Sequence, residues 1–328
     1  MTRMLWTALA ALLLLVIAGA ATRPAELSPP REVRKAEGDL TELLARGEAA
    51  VHERRGVIDG AEKRIVWAGE PGERTELVLI YLHGFSATRQ EIAPVPEQIA
   101  AALGANLFET RLSGHGLEND ALANVRAEAW LDDGIEALAI GRALGERLVL
   151  IGTSTGATLA LAMAGHPDFT AVDALVFLSP NWGPAAAGSD LVTGPFGPQI
   201  VRLVGGEYRE WEPANERQGR YWSTRYPTAA TVEMMRLVDL AWELTPSATV
   251  PRALLIYSPN DQVVSVPKIH EGFAQLPAAE KAILEVEEGG GPSHHVFAGD
   301  ILAPENNDLT RERIVSFLRG ETAEQDGP

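Results

Sequence analysis

From residue 56 onward the chain alternates short apolar runs with stretches of helical spacing. Seven runs read as strands: 64–68, 77–82, 106–111, 147–152, 174–179, 252–258 and 282–287. Several are nearly continuous in Val, Ile and Leu, Leu148-Val149-Leu150-Ile151 being one. Such runs suit strands buried on both faces of a parallel sheet. Helical spacing fills the intervals 88–103, 129–145, 155–165, 266–276 and 307–319. The alternation predicts an α/β fold with a doubly wound, mostly parallel sheet over residues 56–320.

One interval breaks the rhythm. Residues 183–247 contain no clear strand, and their first part, GPAAAGSDLVTGPFGP, is dense in Gly and Pro. An insertion of that size in an α/β domain predicts a helical cap over the sheet. Trp182, Trp211, Trp222, Trp242, Tyr208, Tyr221, Tyr226 and the Met234-Met235 pair fall in or beside it. They can line a pocket for an acyl or alkyl group or form the core of the cap itself. The Arg residues of the cap leave room for recognition of an anionic substrate group, which nothing in the pattern requires.

The N-terminus follows another logic. Between Arg3 and Arg23 lie 19 residues without a charge, centred on Leu12-Leu13-Leu14-Leu15-Val16-Ile17. A helix of that length spans about 28 Å, close to the hydrocarbon thickness of a bilayer. The same run reads as the apolar core of a signal peptide, with Ala18-Gly19-Ala20 as a small-residue cleavage site. Residues 1–22 are therefore expected to be a signal peptide or an N-terminal membrane anchor, placing the protein in the cell envelope as an exported or anchored chain. A Pro- and charge-rich stretch, 22–38, reads as a linker, and Asp39 with Glu42 has capping-box spacing before Leu40, Leu43, Leu44, Gly47 and Val51. Residues 23–55 thus hold a linker and an amphipathic helix, and residues 321–328 read as a disordered tail.

Charge and composition remove classes of function. Of the 328 residues, 28 are Lys or Arg and 45 are Asp or Glu, a formal charge of −17. The first 35 residues carry five basic and two acidic side chains, so the rest of the chain is more acidic still. Such a body is repelled by polyphosphate, which argues against a nucleic-acid partner. There is no cysteine, so disulfides, thiolate metal sites and a cysteine nucleophile are excluded.

The nucleophile search then turns to serine. Gly152-Thr153-Ser154-Thr155-Gly156 directly follows the 147–152 run and directly precedes a helical stretch. In a chain with 31 glycines G-x-S-x-G alone is a weak signal, but strand–turn–helix is the context its chemistry needs. A sharp turn exposes the Ser154 hydroxyl, small neighbours allow the backbone approach, and the helix N-terminus favours developing negative charge. Upstream, His83-Gly84-Phe85-Ser86 closes another strand. The Phe85 N–H and the Thr155 N–H are expected to form an oxyanion hole. His83 precedes the nucleophile and reads as a loop-holding histidine.

Downstream, Ser258-Pro259-Asn260-Asp261-Gln262-Val263-Val264 puts Asp261 at a strand end, where catalytic groups gather in open α/β sheets. Asp239, Asp300 and Asp308 have no such placement. Ser293-His294-His295-Val296 follows the last strand, and one of its two histidines is needed as general base. Adjacent histidines point apart and lack a spaced third ligand, so neither metal nor cofactor is expected.

In order and placement, HGFS, GTSTG, SPNDQVV and SHHV resemble the α/β-hydrolase superfamily, nearest its esterase, monoglyceride-lipase-like and serine-aminopeptidase-like branch. The resemblance covers roughly residues 56–320. It implies a Ser154–His295–Asp261 triad, His295 aligning with the base and His294 standing where the branch usually has a small residue. Leu112-Ser113-Gly114-His115-Gly116 resembles the branch's D-x-x-G-H-G loop without its Asp, which marks His115 as structural or supporting. The 183–247 insertion corresponds to the branch's cap. The activity implied is cleavage of a small-molecule or lipid ester without a cofactor, with peptidase, thioesterase or non-catalytic use of the scaffold as other readings.

Overall fold

The computed structural model describes residue 6 and residues 18–119 and 121–321. Most of the apolar run 1–22 and of the tail 321–328 therefore lies outside the described residues. Among the described residues no helix is long and apolar enough to cross a membrane.

Each of the seven predicted runs contributes one strand to a single sheet. In chain order these are β1 (Arg64–Val66), β2 (Thr75–Leu82), β3 (Asn106–Glu109), β4 (Gly145–Thr153), β5 (Val172–Leu178), β8 (Val250–Tyr257) and β9 (Ala278–Glu285). Their spatial order is β1-β3-β2-β4-β5-β8-β9. Only β1 runs antiparallel to its neighbour; the other pairings are parallel.

Strand alternation divides the core into two layers. Val78, Ile80 and Leu82 face one cluster with the helices Ala127–Leu144, Thr155–Ala162 and Ala229–Leu244. Leu79 and Tyr81 face the other, under the helices Val95–Leu103 and Asn307–Arg319. Both faces are covered, which explains why β2 and β4 read as continuous apolar runs.

Three differences from the sequence reading have local causes. The expected helix 88–103 is a short 3-10 turn, Arg89–Glu91, followed by a helix beginning only at Val95. Pro94 and Pro96 lack the N–H that a continuous helix would need there. In the helix Leu40–Arg55 Asp39 caps the Glu42 N–H as expected, but only Leu40 and Leu44 are buried, while Leu43 and Gly47 are exposed. The insertion, expected to be without strands, holds an antiparallel ribbon of β6 (Tyr208–Glu210) and β7 (Arg225–Pro227). Three residues per strand, none of them buried, leave no alternation to detect.

The Pro-rich stretch before residue 39 runs along the body. Leu27 is buried in the core, Arg236 Nε donates to the Ala25 carbonyl at 2.7 Å, and Arg34 pairs with Asp132 at 3.0 Å. Closer to the N-terminus, the Phe196 N–H donates to Thr22 Oγ1 at 2.9 Å, tying this segment to the 183–247 insertion.

Candidate active site

β4 ends at Thr153 and the helix Thr155–Ala162 starts two residues later, so Ser154 alone makes the turn. Its backbone sits at φ 50°, ψ −116°, a strained conformation for a residue with a side chain. The Ser154 N–H donates to the Leu178 carbonyl at 2.9 Å and so is fixed to the neighbouring strand end. The flanking glycines are dictated by contact. A Cβ on Gly156 would lie 2.0 Å from the Leu82 carbonyl oxygen, and one on Gly152 would lie 2.5 Å from the Ala157 Cα.

Both obstacles are backbone, so neither can swing aside. Gly156→Ala is accordingly expected to lose about 3 kcal/mol of stability, read from denaturant unfolding. Gly47→Ala, in an exposed helix with nothing within 4 Å of the new methyl, should instead gain up to about 1 kcal/mol. Equal effects at the two positions would show that the elbow has room to spare.

Asp261 and His295, the expected acid and base, follow the ends of β8 and β9. Asp261 follows β8 in a turn and accepts the Val263 and Val264 N–H groups on Oδ1, at 2.8 and 3.0 Å. Its Oδ2 lies 2.7 Å from His295 Nδ1, with both residues buried. A carboxylate there can only accept, so His295 carries its proton on Nδ1 and keeps Nε2 as a lone pair. The Gln262 N–H donates to the Ser293 carbonyl at 2.9 Å and locks the two loops together. His294, in contrast, turns its backbone to φ 53°, and its buried Nδ1 has no partner among the described residues. The structure thus distinguishes the two adjacent histidines: only His295 engages the acid.

The loop after β2 is held from two sides. The Leu112 N–H donates to His83 Nε2 at 3.0 Å, which places the His83 proton on Nδ1, facing the Gly84 carbonyl at 3.0 Å. That bond fixes the Gly84–Phe85 peptide, and the Phe85 N–H belongs to the same plane. The Phe85 N–H makes no hydrogen bond among the described residues. The Thr155 N–H is the first of its helix and has no intrahelical acceptor. Burial holds His83 well below the usual histidine range, with the neighbouring His115 adding to the effect. His115 is lowered to about 4, chiefly by burial. Its ring packs against His83, Phe85 and Trp130 at centroid distances of 5.0, 6.0 and 5.9 Å. Both are neutral supports of the loop.

The sequence reading missed Glu91. Its carboxylate is buried, accepts the Gly84 N–H at 2.8 Å and the Tyr81 hydroxyl at 3.0 Å on Oε2, and faces the same cavity as His295. Burial pushes it up to about 7, against the lowering pull of the Gly84 N–H, His295 and the Tyr81 hydroxyl. A lone Glu in a short turn eight residues past His83 carries no sequence signal of its own.

Ser154, Thr155, Phe85, His295 and Glu91 line one cavity of about 830 Å³, roofed by the cap. Asp261 stands behind His295 and does not line it. Trp211, Trp222, Tyr226 and Met234-Met235 also line it, whereas Trp182 is buried against Phe177 and Trp242 is hydrogen-bonded to the Trp182 carbonyl. The cap aromatics therefore divide between cavity wall and core. Among the described residues Arg209 is the only arginine or lysine on the wall. A larger cleft of about 1310 Å³ lies between residues 22–25, 122–126 and the cap. It contains none of these groups.

A mostly parallel sheet with a serine elbow after β4, an aspartate after β8 and a histidine after β9 defines the class, and the comparisons agree. The sequence matches the α/β-hydrolase family over residues 77–304, and the chain belongs to that family. No curated protein matches it. Among solved structures it is similar to one described with LipS and LipT, two metagenome-derived lipolytic enzymes. There the TM-score is 0.64 and the identity 20%, with 80% of this chain and 99% of that one covered. The monoacylglycerol lipase of Paleococcus ferrophilus follows, with TM-score 0.59, identity 16%, and coverage of 79% and 98%. Est1E of Butyrivibrio proteoclasticus, solved with ferulic acid, gives TM-score 0.51, identity 16%, and coverage of 80% and 96%. At these identities the likeness establishes the fold.

Proposed function

We propose that the protein is a serine hydrolase of carboxylic esters. The observation that carries this reading is the buried Asp261–His295 pair at 2.7 Å, whose His295 lines the same cavity as a serine held on a strained elbow. Ser154 Oγ attacks the acyl carbon while His295 Nε2 takes its proton and then returns it to the leaving alcohol. Asp261 holds the imidazole tautomer and balances the imidazolium that forms. The Phe85 and Thr155 N–H groups receive the oxyanion, and water repeats the sequence on the acyl-enzyme. No step calls for a cofactor.

Methionine, tryptophan and aliphatic side chains along the cavity favour an apolar acyl or alkyl group. That the similar structures include lipolytic enzymes and a monoacylglycerol lipase fits this substrate class. The test is a series of p-nitrophenyl esters of increasing chain length, together with a fluorophosphonate probe. Hydrolysis with kcat/KM rising beyond acetate, and an adduct on Ser154, are expected. Absence of both in folded protein would mean that the scaffold serves binding alone. The apolar leader further supports an address in the cell envelope, and the intact mass of the natively expressed protein distinguishes a cleaved leader from a retained anchor. Retention in the soluble cytoplasmic fraction at full mass would refute that address.

A further inference from the structure

Glu91 takes no part in the triad chemistry, yet three separate features converge on it. Its Oε2 accepts from Gly84, the residue immediately before the proposed oxyanion donor Phe85. The same oxygen accepts from Tyr81, whose hydroxyl also meets Thr153 Oγ1 at 3.1 Å, one residue before Ser154. The carboxylate borders the same cavity as Ser154 and His295, and a charge on the imidazole favours its ionised form. The site is built to hold this group closely: a Cβ on Gly84 would stand 2.6 Å from Glu91 Oε1. A buried carboxylate carries a large desolvation cost, and packing alone would be met as well by Leu or Gln.

We propose that Glu91 is a positioning residue of the hydrolase: it ties the oxyanion loop to the strand ends beside Ser154 and sets a second carboxylate against His295. The inference rests on the esterase reading. Hydrogen bonding to the Gly84 N–H holds the peptide that precedes the Gly84–Phe85 plane, while His83 holds the plane itself. When ionised, Glu91 adds to Asp261 in stabilising the imidazolium that forms during acyl transfer. The groups acting on it are the Gly84 N–H from the loop, the Tyr81 hydroxyl from β2 and His295 from the loop after β9.

The sign of the pH effect follows. Ionised Glu91 makes His295 the stronger base, and full activity requires that ionisation. The Tyr81 hydroxyl favours the ionised form of Glu91.

The experiment is the pH profile, from 5 to 9, of ester kcat/KM and of the fluorophosphonate labelling rate for wild type, Glu91→Gln and Tyr81→Phe. Glu91→Gln removes the charge at constant shape. Its acidic limb should move to lower pH by about half a unit, and its plateau kcat should fall about tenfold at nearly unchanged KM. Tyr81→Phe deletes only a hydroxyl and should move the limb the opposite way, to higher pH. It also serves as the test if Glu91→Gln does not fold. Normal wild-type labelling with all three profiles superimposable, or with only a thermal shift between them, overturns the inference while leaving the esterase reading intact. A folded wild type that neither labels nor hydrolyses esters at any pH overturns both.

Discussion

Ser154→Ala is expected to lower kcat for ester hydrolysis by at least about 10⁴-fold and to abolish fluorophosphonate labelling. The loss is large because Oγ forms the covalent bond, and nothing else on the cavity wall can take its place. The other serines along the wall lack the elbow's geometry: Ser86 lies in a turn, and Ser189 and Ser293 in short 3-10 turns. The fold should tolerate the change. Ser154 is held by its backbone, through the N–H to Leu178 and the carbonyl that accepts from Ala157 and Asn181. None of those bonds uses the side chain, and losing a β-oxygen at φ 50° leaves the steric cost nearly unchanged. Stability should therefore stay within about 1 kcal/mol of wild type, separating lost chemistry from lost folding. Near-full turnover by Ser154→Ala would reject the nucleophile and the reaction class with it.

How far the site could be read in advance depends on the kind of signal each residue carries. Ser154 was legible because its surroundings are covalently local. A strand, a two-glycine turn and a helix are all written within a few residues, and the glycines are forced by Leu82 and Ala157. Asp261 and His295 were legible through their strand-end positions, but the choice between His294 and His295 needed the structure. Adjacent residues share every local property, and only the fold decides which ring meets the Asp261 carboxylate. Glu91 was not legible at all, because its role comes from Tyr81 and Gly84 reaching it across the turn, a tertiary fact.

The same reasoning covers the fold. Buried strands left strong apolar runs, so each of the seven was found, whereas the β6–β7 ribbon lies within the insertion with β6 wholly exposed. Its pairing rests on backbone bonds and on stacking of Arg225 over Tyr208 at 3.8 Å, which no periodicity reports. The segment before residue 39 looked like a linker because its composition is polar and Pro-rich. One buried leucine, Leu27, and backbone carbonyls used as acceptors are enough to seat it on the body.

Asp261→Asn should be nearly as damaging as loss of the nucleophile, and the hydrogen bonds around Asp261 say why. Oδ1 accepts two backbone N–H groups, from Val263 and Val264. In the asparagine variant only the amide oxygen can fill that role, so the NH₂ must take the Oδ2 position opposite His295 Nδ1. A donor would then face a donor. The imidazole escapes by moving its proton to Nε2, where it no longer accepts from Ser154. Proton removal in the first step fails, although every heavy atom keeps its place. The expected loss in kcat is about 10⁴-fold, with KM changed little and the fold intact by denaturant unfolding. His295→Ala should match it, because the two residues act as one unit and their effects do not add. His294→Asn is the control: asparagine tolerates the positive φ at this position, and it is His295, not His294, that meets the Asp261 carboxylate. Activity within about threefold of wild type is expected there. If His294→Asn instead abolished turnover while Asp261→Asn retained it, the base would have to be reassigned and the tautomer argument abandoned.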